Sequence, residues 1–316
     1  MKKLFRRIGI FILILFVLIN IISASHAYKF SHFYPPGTLS TKKPEQMTGL
    51  EKASAILFGV DFPRSPVVDS YPLPHETFNL QTTDGYTLEG WYAPHDSAKG
   101  TVILFHGHAG NRAGVALESF AFLGLGYNVC LVDFRAHGNS SGNTCTIGYK
   151  EATDVKATYD FVKAKGEKNI VLWGVSLGAA TIMKAMADYK DIQPSKIILQ
   201  MSFGSLADAV NGRLRMMGLP QQPLSTLLTF WGGMEQGFWG FGFKPYLYAK
   251  AITTPVLYQW GQNDQRVTQA ETEAIYANLA SPGKKLVIYE NCGHESLLKA
   301  QPEKWTAEVY NFLKDK

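Results

Sequence analysis

The chain of 316 residues has the length and composition of one large globular domain with a short extra segment. Apolar residues make up 46% of it and charged residues 18%, a balance that excludes a disordered chain. Four of its 31 basic residues lie within the first seven positions, which leaves 27 against 26 acidic residues, so no nucleic-acid partner is expected.

The first 27 residues have the pattern of a targeting segment. A basic stretch, 1–7, precedes the apolar run 8–22, and small residues follow at Ser25 and Ala27. This order fits a cleaved signal peptide over 1–27, and it also fits a retained anchor that associates with the membrane through residues 8–24. In both cases the positive-inside tendency places the domain outside the cytoplasm, either secreted or periplasmic after cleavage, or anchored in the membrane.

Residues 28–74 are rich in Pro, Ser, Thr and Lys, and we interpret them as a linker and lead-in with one short helix near Glu51–Phe58. A single domain is expected over 75–316. It begins with a hairpin, because two alternating segments flank Asp84-Gly85.

From residue 100 onward, apolar runs without alternation are separated by segments of helical length. Strands are predicted at 101–106, 127–134, 169–175, 196–202, 255–261 and 285–290, with helices near 112–124, 149–165, 177–189, 268–280 and 302–314. Such a pattern predicts an α/β fold with a mostly parallel sheet and helices on both faces. Its site is expected at the carboxyl ends of the strands.

Residues 203–250 interrupt this alternation. The segment is rich in Trp, Phe and Gly and is too long for an ordinary connection between two strands. It fits a lid or cap over a site, and it fits an extra subdomain that packs its aromatic side chains inward. The two interpretations are compatible.

The strongest local motif is Gly174-Val175-Ser176-Leu177-Gly178, which matches the nucleophile-elbow pattern G-x-S-x-G. A predicted strand leads into it and a predicted helix leads out. The tight turn requires glycine at 174 and 178, exposes the Ser176 hydroxyl, and places the N–H of Leu177 where it can stabilise an oxyanion. The alternative is a structural serine in a tight turn.

A nucleophilic serine needs a histidine to accept its proton and an acid to orient that histidine. His294 follows the last predicted strand, and Asp264 follows strand 255–261, so they occur in the chain order Ser–Asp–His of this fold. Asp264 could instead cap the helix that starts near Thr268. Asp133 is the second candidate for the acid, although a structural hydrogen bond suits it better.

The second oxyanion donor is expected in the loop after strand 101–106. There Gly107 allows the backbone to approach closely, and the backbone N–H of His108 is the candidate donor. The same loop can also be a simple turn with Asn111 as the N-cap of the next helix, and both roles can coexist. His137, after strand 127–134, is expected to cap a loop.

Three cysteines, Cys130, Cys145 and Cys292, are too few for a disulfide framework. No Cys-x-x-Cys or His-Glu-x-x-His spacing occurs, so no metal site is expected.

The segments HGHAGN, VDFRAHGNSSG, GVSLGAA, GQNDQRV and CGH resemble, in order and spacing, the α/β-hydrolase superfamily. More narrowly, they resemble its Bem46-type branch, which includes the serine aminopeptidase S33-like hydrolases, over roughly residues 75–314. The resemblance implies an eight-stranded sheet with the lid insertion between strands 6 and 7. It also implies no cofactor, and hydrolysis of esters, thioesters or occasionally amides.

Carried over residue by residue, the resemblance places the catalytic triad at Ser176, Asp264 and His294, and the oxyanion donors at His108 and Leu177. One departure is Arg135-Ala136-His137-Gly138, where the family often has Arg-Gly-x-Gly. The Trp- and Gly-rich insertion is another.

The function expected from these residues is serine hydrolysis of carboxylic esters or thioesters through an acyl-enzyme, with a small-molecule or lipid-like acyl ester held in an apolar pocket under the aromatic lid. One alternative is a peptidase or amidase on the same triad, which an acid in the pocket would favour because it could bind a substrate N-terminus. The other is a non-catalytic binding protein that keeps the fold.

Overall fold

An eight-stranded β-sheet forms the centre of the protein in a computed structural model that describes residues 1–35, 48–67 and 71–314. Its strands are, in chain order, β1 (Glu76–Gln81), β2 (Thr87–Ala93), β3 (Thr101–Phe105), β4 (Asn128–Val132), β5 (Ile170–Val175), β6 (Lys196–Gln200), β7 (Val256–Gly261) and β8 (Lys284–Tyr289). Their spatial order is β1-β2-β4-β3-β5-β6-β7-β8. Strand β2 runs antiparallel to β1 and β4, and the remaining pairs are parallel. The predicted fold class is confirmed.

Helices alternate with the strands of the parallel region, as the sequence predicts. The helices are α1 (Lys2–Ser31), α2 (Gly49–Phe58), α3 (Ala116–Gly124), α4 (Ala152–Ala164), α5 (Leu177–Asp188), α6 (Leu206–Met216), α7 (Leu224–Glu235), α8 (Pro245–Tyr248), α9 (Gln269–Asn278), α10 (Leu297–Ala300) and α11 (Pro302–Lys314). Every residue of β3 and β4 is buried, which explains why these strands are apolar without alternation.

The hairpin predicted around Asp84-Gly85 joins β1 and β2 in antiparallel register, from Glu76 opposite Tyr92 to Gln81 opposite Thr87. Gly85 has a φ of 89°, a conformation that glycine adopts without strain. Because β1 is the outermost strand of the sheet, only Phe78 among its residues is buried.

Helix α1 has two parts with different surroundings. Residues 2–18 are exposed, whereas Ser23, Ala27 and Ser31 are buried. Its 30 residues span about 45 Å at the usual helical rise, so by length and composition α1 can cross a membrane. The helix continues past Ala27, the end of the expected targeting segment.

The carboxyl-terminal part of α1 packs against α7 of the insertion. Asn20 accepts a hydrogen bond from the indole N–H of Trp231 at 3.1 Å, and Ser31 accepts one from the Gln236 amide at 3.1 Å. These contacts join the apolar N-terminal helix to the rest of the protein.

The expected linker, 28–74, lies partly outside the described residues, at 36–47 and 68–70. In its described part, Phe33–Tyr34 pairs in parallel with Phe62–Pro63, and the side chain of Phe33 belongs to the main hydrophobic core. The short helix expected near 51–58 is α2. These residues are therefore more closely integrated with the domain than their composition suggested.

The insertion 203–250 lies between β6 and β7, the sixth and seventh strands of the sheet, as the family resemblance implies. It contains α6, α7 and α8. Phe243 is fully buried and Phe238 stacks on Tyr149 at 4.2 Å, whereas Trp239 is 59% exposed. Part of its aromatic content therefore packs inward, in the manner of a subdomain.

Candidate active site

Ser176 occupies a strained turn between β5 and α5. Its φ of 54° and ψ of −111° are unfavourable for a residue with a side chain. The turn is held by the N–H of Ser176, which donates to the Gln200 carbonyl at 2.8 Å, and by the Ser176 carbonyl, which accepts from Ala180. Strain at a half-buried serine between a strand and a helix is typical of a nucleophile elbow.

Close backbone contacts explain the two glycines of the motif. A Cβ at Gly174 would lie 2.7 Å from the carbonyl carbon of Gly178. A Cβ at Gly178 would lie 2.8 Å from the carbonyl carbon of Phe105, at the end of β3. Real Cβ atoms do not approach so closely, so this backbone accommodates glycine at both positions and no larger residue without a shift.

Asp264 and His294 meet at the carboxyl ends of β7 and β8. The Nδ1 atom of His294 is 2.6 Å from Oδ2 of Asp264, the geometry of a charge-assisted hydrogen bond. The other oxygen of Asp264 accepts the N–H groups of Arg266 at 2.7 Å and Val267 at 2.9 Å. Asp264 is thus fixed on one side by its own loop and aims its second oxygen at the imidazole.

Asp264 does not cap the following helix. The N-cap of α9 is Thr268, whose side chain and that of Glu271 form a reciprocal capping box. The alternative prediction, that Asp264 caps the helix starting near Thr268, is therefore wrong.

Ser176 and His294 line one cavity of about 380 Å³. Among the hydrogen bonds of the described residues, His294 bonds to Asp264 and none joins it to Ser176. Catalytic hydrogen bonds are often long before substrate binds and shorten in the reacting complex. The three side chains are therefore brought to one place, with the Asp–His contact already formed.

The loop after β3 lies beside Ser176. A Cβ at Gly107 would be 3.6 Å from Cβ of Ser176, which is ordinary contact, so the loop is close but does not demand glycine there. His108 faces the same cavity, and its imidazole stacks on Phe30 of α1 at 4.6 Å. Asn111 accepts the N–H of Gly114, so the expected capping role is also present.

Buried histidines hold this loop in place. His137 Nε2 accepts the N–H of Ala109 at 3.2 Å, while its Nδ1 lies 2.9 Å from the Arg135 carbonyl. Burial lowers the pKa of His137 to about 3 and that of His106 to about 4. Both rings are therefore neutral at pH 7, as an acceptor nitrogen requires. His137 therefore holds a loop by a hydrogen bond, and this loop is the one that contains His108.

Asp133 has a structural role, which agrees with its rank as second candidate for the acid. It is completely buried and accepts the backbone N–H groups of Arg112 at 2.7 Å and Asn139 at 3.0 Å. The guanidinium of Arg112 bridges Asp133 and Glu89. These bonds join the short segment Arg112–Val115, which precedes α3, to the residue that follows β4.

Among the residues that line the cavity with Ser176 and His294, sequence reasoning did not find Phe30, Arg213 or Arg266. Phe30 belongs to the segment that was assigned to targeting and lead-in, so nothing in its pattern pointed to the site. Arg213 lies on α6 within the unfamiliar insertion. Arg266 lies next to the motif at Asp264, and its position two residues after that acid is the one signal that could have found it.

The described residues contain no group of three or more His, Cys, Asp or Glu side chains arranged to hold a metal ion. All three cysteines are free and buried.

The sheet order and the strand–turn–helix unit around Ser176 are those of the α/β-hydrolase fold. A sequence profile described as "alpha/beta hydrolase fold" matches residues 100–215. Over these residues the chain is similar to the α/β-hydrolase superfamily.

Relatives among known proteins agree with this assignment. YqkD of Bacillus subtilis is 28% identical over 252 residues, which cover 78% of this chain and 82% of that protein. The protein bem46 of Schizosaccharomyces pombe is 23% identical, with coverage of 72% and 74%. The lysophosphatidylserine lipase ABHD12 of Xenopus tropicalis is 26% identical, with coverage of 65% and 53%.

A solved structure shares the fold. Esterase Pf2001 of Pyrococcus furiosus superposes with a TM-score of 0.66 at 24% sequence identity, covering 80% of this chain and 98% of that one.

Proposed function

We propose that the protein is a serine hydrolase that cleaves carboxylic esters or thioesters with Ser176, His294 and Asp264. The observation that carries this proposal is the 2.6 Å bond between His294 and Asp264 at the cavity that Ser176 also lines. A carboxylate bonded to Nδ1 keeps the proton there and leaves Nε2 free to accept one from the serine.

In the proposed mechanism, His294 removes the proton of Ser176 as Oγ attacks the acyl carbonyl. The carbonyl π electrons move to its oxygen, which the N–H groups of Leu177 and His108 stabilise, each donor contributing about 3–4 kcal/mol. The tetrahedral intermediate collapses, and the alcohol or thiol leaves with the proton from His294. Water, deprotonated by His294, then attacks the acyl-enzyme and releases the acid.

Charge at the cavity favours esters over the peptidase alternative. Binding a substrate ammonium group requires a free acid in the pocket. Besides Asp264, which is committed to His294, the described lining contains one acid, Glu295, and it accepts the N–H of Gly293 at 3.2 Å. Arg213 and Arg266 line the same cavity, so its side chains carry a positive balance.

We also propose that α1 is retained as a membrane anchor, with the hydrolase domain on the extracytoplasmic side. Its exposed apolar surface follows a cluster of four basic residues, which favours a cytoplasmic N-terminus. Its buried end packs on α7 around Ala27, the residue after which a signal peptidase would cut. A lipid-like acyl ester is accordingly the favoured substrate.

Replacement of Ser176 by Ala tests the assignment with a panel of p-nitrophenyl acyl esters. We expect turnover to fall by at least about a thousandfold, to the level that oxyanion donors and binding alone sustain. Turnover equal to that of the wild type would refute the role of Ser176. Matched p-nitroanilide substrates test the amidase alternative in the same assay.

A further inference from the structure

A second cavity, of about 130 Å³, lies between the buried end of α1 and the insertion helices α6 and α7. At the roughly 30 Å³ that a water molecule occupies in the liquid, it has room for about four of them. Its walls are mostly apolar, with Ala27 and Phe30 from α1, Val210 and Leu214 from α6, and Leu228 from α7.

Three polar side chains in these walls, those of Ser31, Thr146 and Gln236, have hydrogen-bond partners within the protein, and Arg213 lies against aromatic rings. Gln236 donates to the hydroxyl of Ser31, which in turn donates to the Ala27 carbonyl. Thr146 donates to Glu151 at 2.6 Å. A space with apolar walls and satisfied polar neighbours is suited to hydrocarbon and not to water.

This second cavity adjoins the catalytic cavity. The two share Phe30, Phe62, Ile147 and Arg213 as lining residues. The exposed guanidinium of Arg213 lies over the rings of Phe62 and Phe30, at 5.1 and 5.7 Å from their centroids. Its charge is thus placed against aromatic faces, and the junction between the cavities presents apolar surface from Phe30, Phe62 and Ile147.

We propose that the cavity between α1, α6 and α7 is the acyl-chain subsite, which holds the hydrocarbon tail of a single long-chain ester whose carbonyl lies at Ser176. The inference rests on the proposed function and adds the location of the tail. It makes the membrane helix a wall of the substrate site, so an amphiphile in the bilayer can reach the serine along α1.

Substitutions that fill the subsite test the proposal. Gly232 of α7 lines the cavity, and the atom nearest to an added Cβ there would be Cβ of Ala27 at 4.0 Å, so the Cβ of Gly232→Leu has room and the variant adds volume at the cavity wall. Val210→Phe fills it from α6. The control is Met234→Phe, because Met234 is 55% exposed on α7 and lies outside the lining.

The measurement is kcat/KM for p-nitrophenyl butyrate and decanoate, with the full-length chain in phosphatidylcholine nanodiscs. Each methylene that a cavity buries is worth a factor of about four. Gly232→Leu and Val210→Phe should each exclude at least two methylenes and lower the decanoate-to-butyrate ratio tenfold or more, while Met234→Phe keeps the wild-type ratio.

The outcomes separate this inference from the function on which it rests. If the wild type hydrolyses both esters and both filling variants keep its ratio, the subsite is refuted and the hydrolase assignment stands. If the wild type hydrolyses neither ester and Ser176 is not labelled by a fluorophosphonate, the proposed function itself fails. A variant that also loses fluorophosphonate labelling is misfolded, and the other variant then decides.

Discussion

Replacing Asp264 by asparagine should separate the catalytic role of this acid from its structural role. The amide oxygen can still accept the N–H groups of Arg266 and Val267, which the Asp264 Oδ1 atom accepts at 2.7 and 2.9 Å. The amide N–H₂ group would replace Oδ2 at 2.6 Å from Nδ1 of His294. A donor at that place turns Nδ1 into an acceptor and moves the imidazole proton to Nε2.

An imidazole protonated at Nε2 cannot take the proton of Ser176. We therefore expect kcat to fall by about 10³–10⁴, or about 4–5.5 kcal/mol of transition-state stabilisation, as in other triads that lose the correct tautomer. Stability should change little, since both loop hydrogen bonds persist. The matched variant Asp264→Ala also loses activity, but it strands two N–H groups and should lose about 1–3 kcal/mol of unfolding free energy.

The assays are the steady-state hydrolysis of p-nitrophenyl butyrate and thermal unfolding of the same preparations. A loss of less than tenfold in kcat for Asp264→Asn, with an unchanged Tm, would show that Asp264 does not orient the base. Equal stability of the asparagine and alanine variants would refute the structural half of the reasoning.

Three further predictions concern the elbow, the anchor and the buried histidines. Gly178→Ala should lower Tm markedly and abolish activity because its Cβ would collide with the Phe105 carbonyl, whereas Gly124→Ala, where a Cβ meets no atom within 4 Å, should leave both intact. Intact-mass analysis of the membrane-extracted protein should find residues 1–27 still present; a mature N-terminus after Ala27 would contradict a retained anchor. The pKa of His137 is about 3 in the folded state and about 6.5 in an unfolded chain, so the unfolded chain binds more protons between these values and unfolding free energy falls as pH falls through this window. His137→Gln should flatten that dependence by up to about 1.4 kcal/mol per pH unit, measured by urea unfolding at pH 7 and 5; equal slopes would rule out His137 as a source of acid lability.

The sheet and the elbow could be predicted because each rests on local sequence. Buried strands such as β3 and β4 are apolar after their first residue, and the glycines of the elbow stand against backbone that only they can approach. The order of Ser176, Asp264 and His294 along the chain followed from strand endings, which a parallel sheet gathers at one edge. These inferences depend on neighbours within a few residues.

The walls of the site could not be predicted in this way. Phe30 and Arg213 are far apart in the chain, and they meet only because α1 packs on the insertion. An apolar N-terminal run has the same pattern whether its end is cut off or is built into the domain. A retained helix differs from a cleaved signal peptide by its contacts with α7, such as the hydrogen bond from Trp231 to Asn20. No local sequence pattern encodes those contacts.

The arrangement around Arg135 illustrates a departure from the family that the structure explains. Arg135 forms ion pairs with Asp84 at 2.6 Å and with Asp154 at 2.6 Å, and thereby ties the β1–β2 turn to α4. His137, two residues later, supports the loop that carries His108. The segment is therefore a buried support for the site and does not itself line the cavity.

The most direct test of the account is to label the full-length protein with a fluorophosphonate and identify the modified residue by peptide mass spectrometry. Such probes react with a serine only when a neighbouring base activates it. We predict stoichiometric modification of Ser176 that is lost in His294→Ala and strongly slowed in Asp264→Asn. An unlabelled protein, or modification at Ser176 that persists in His294→Ala, would contradict the proposed triad.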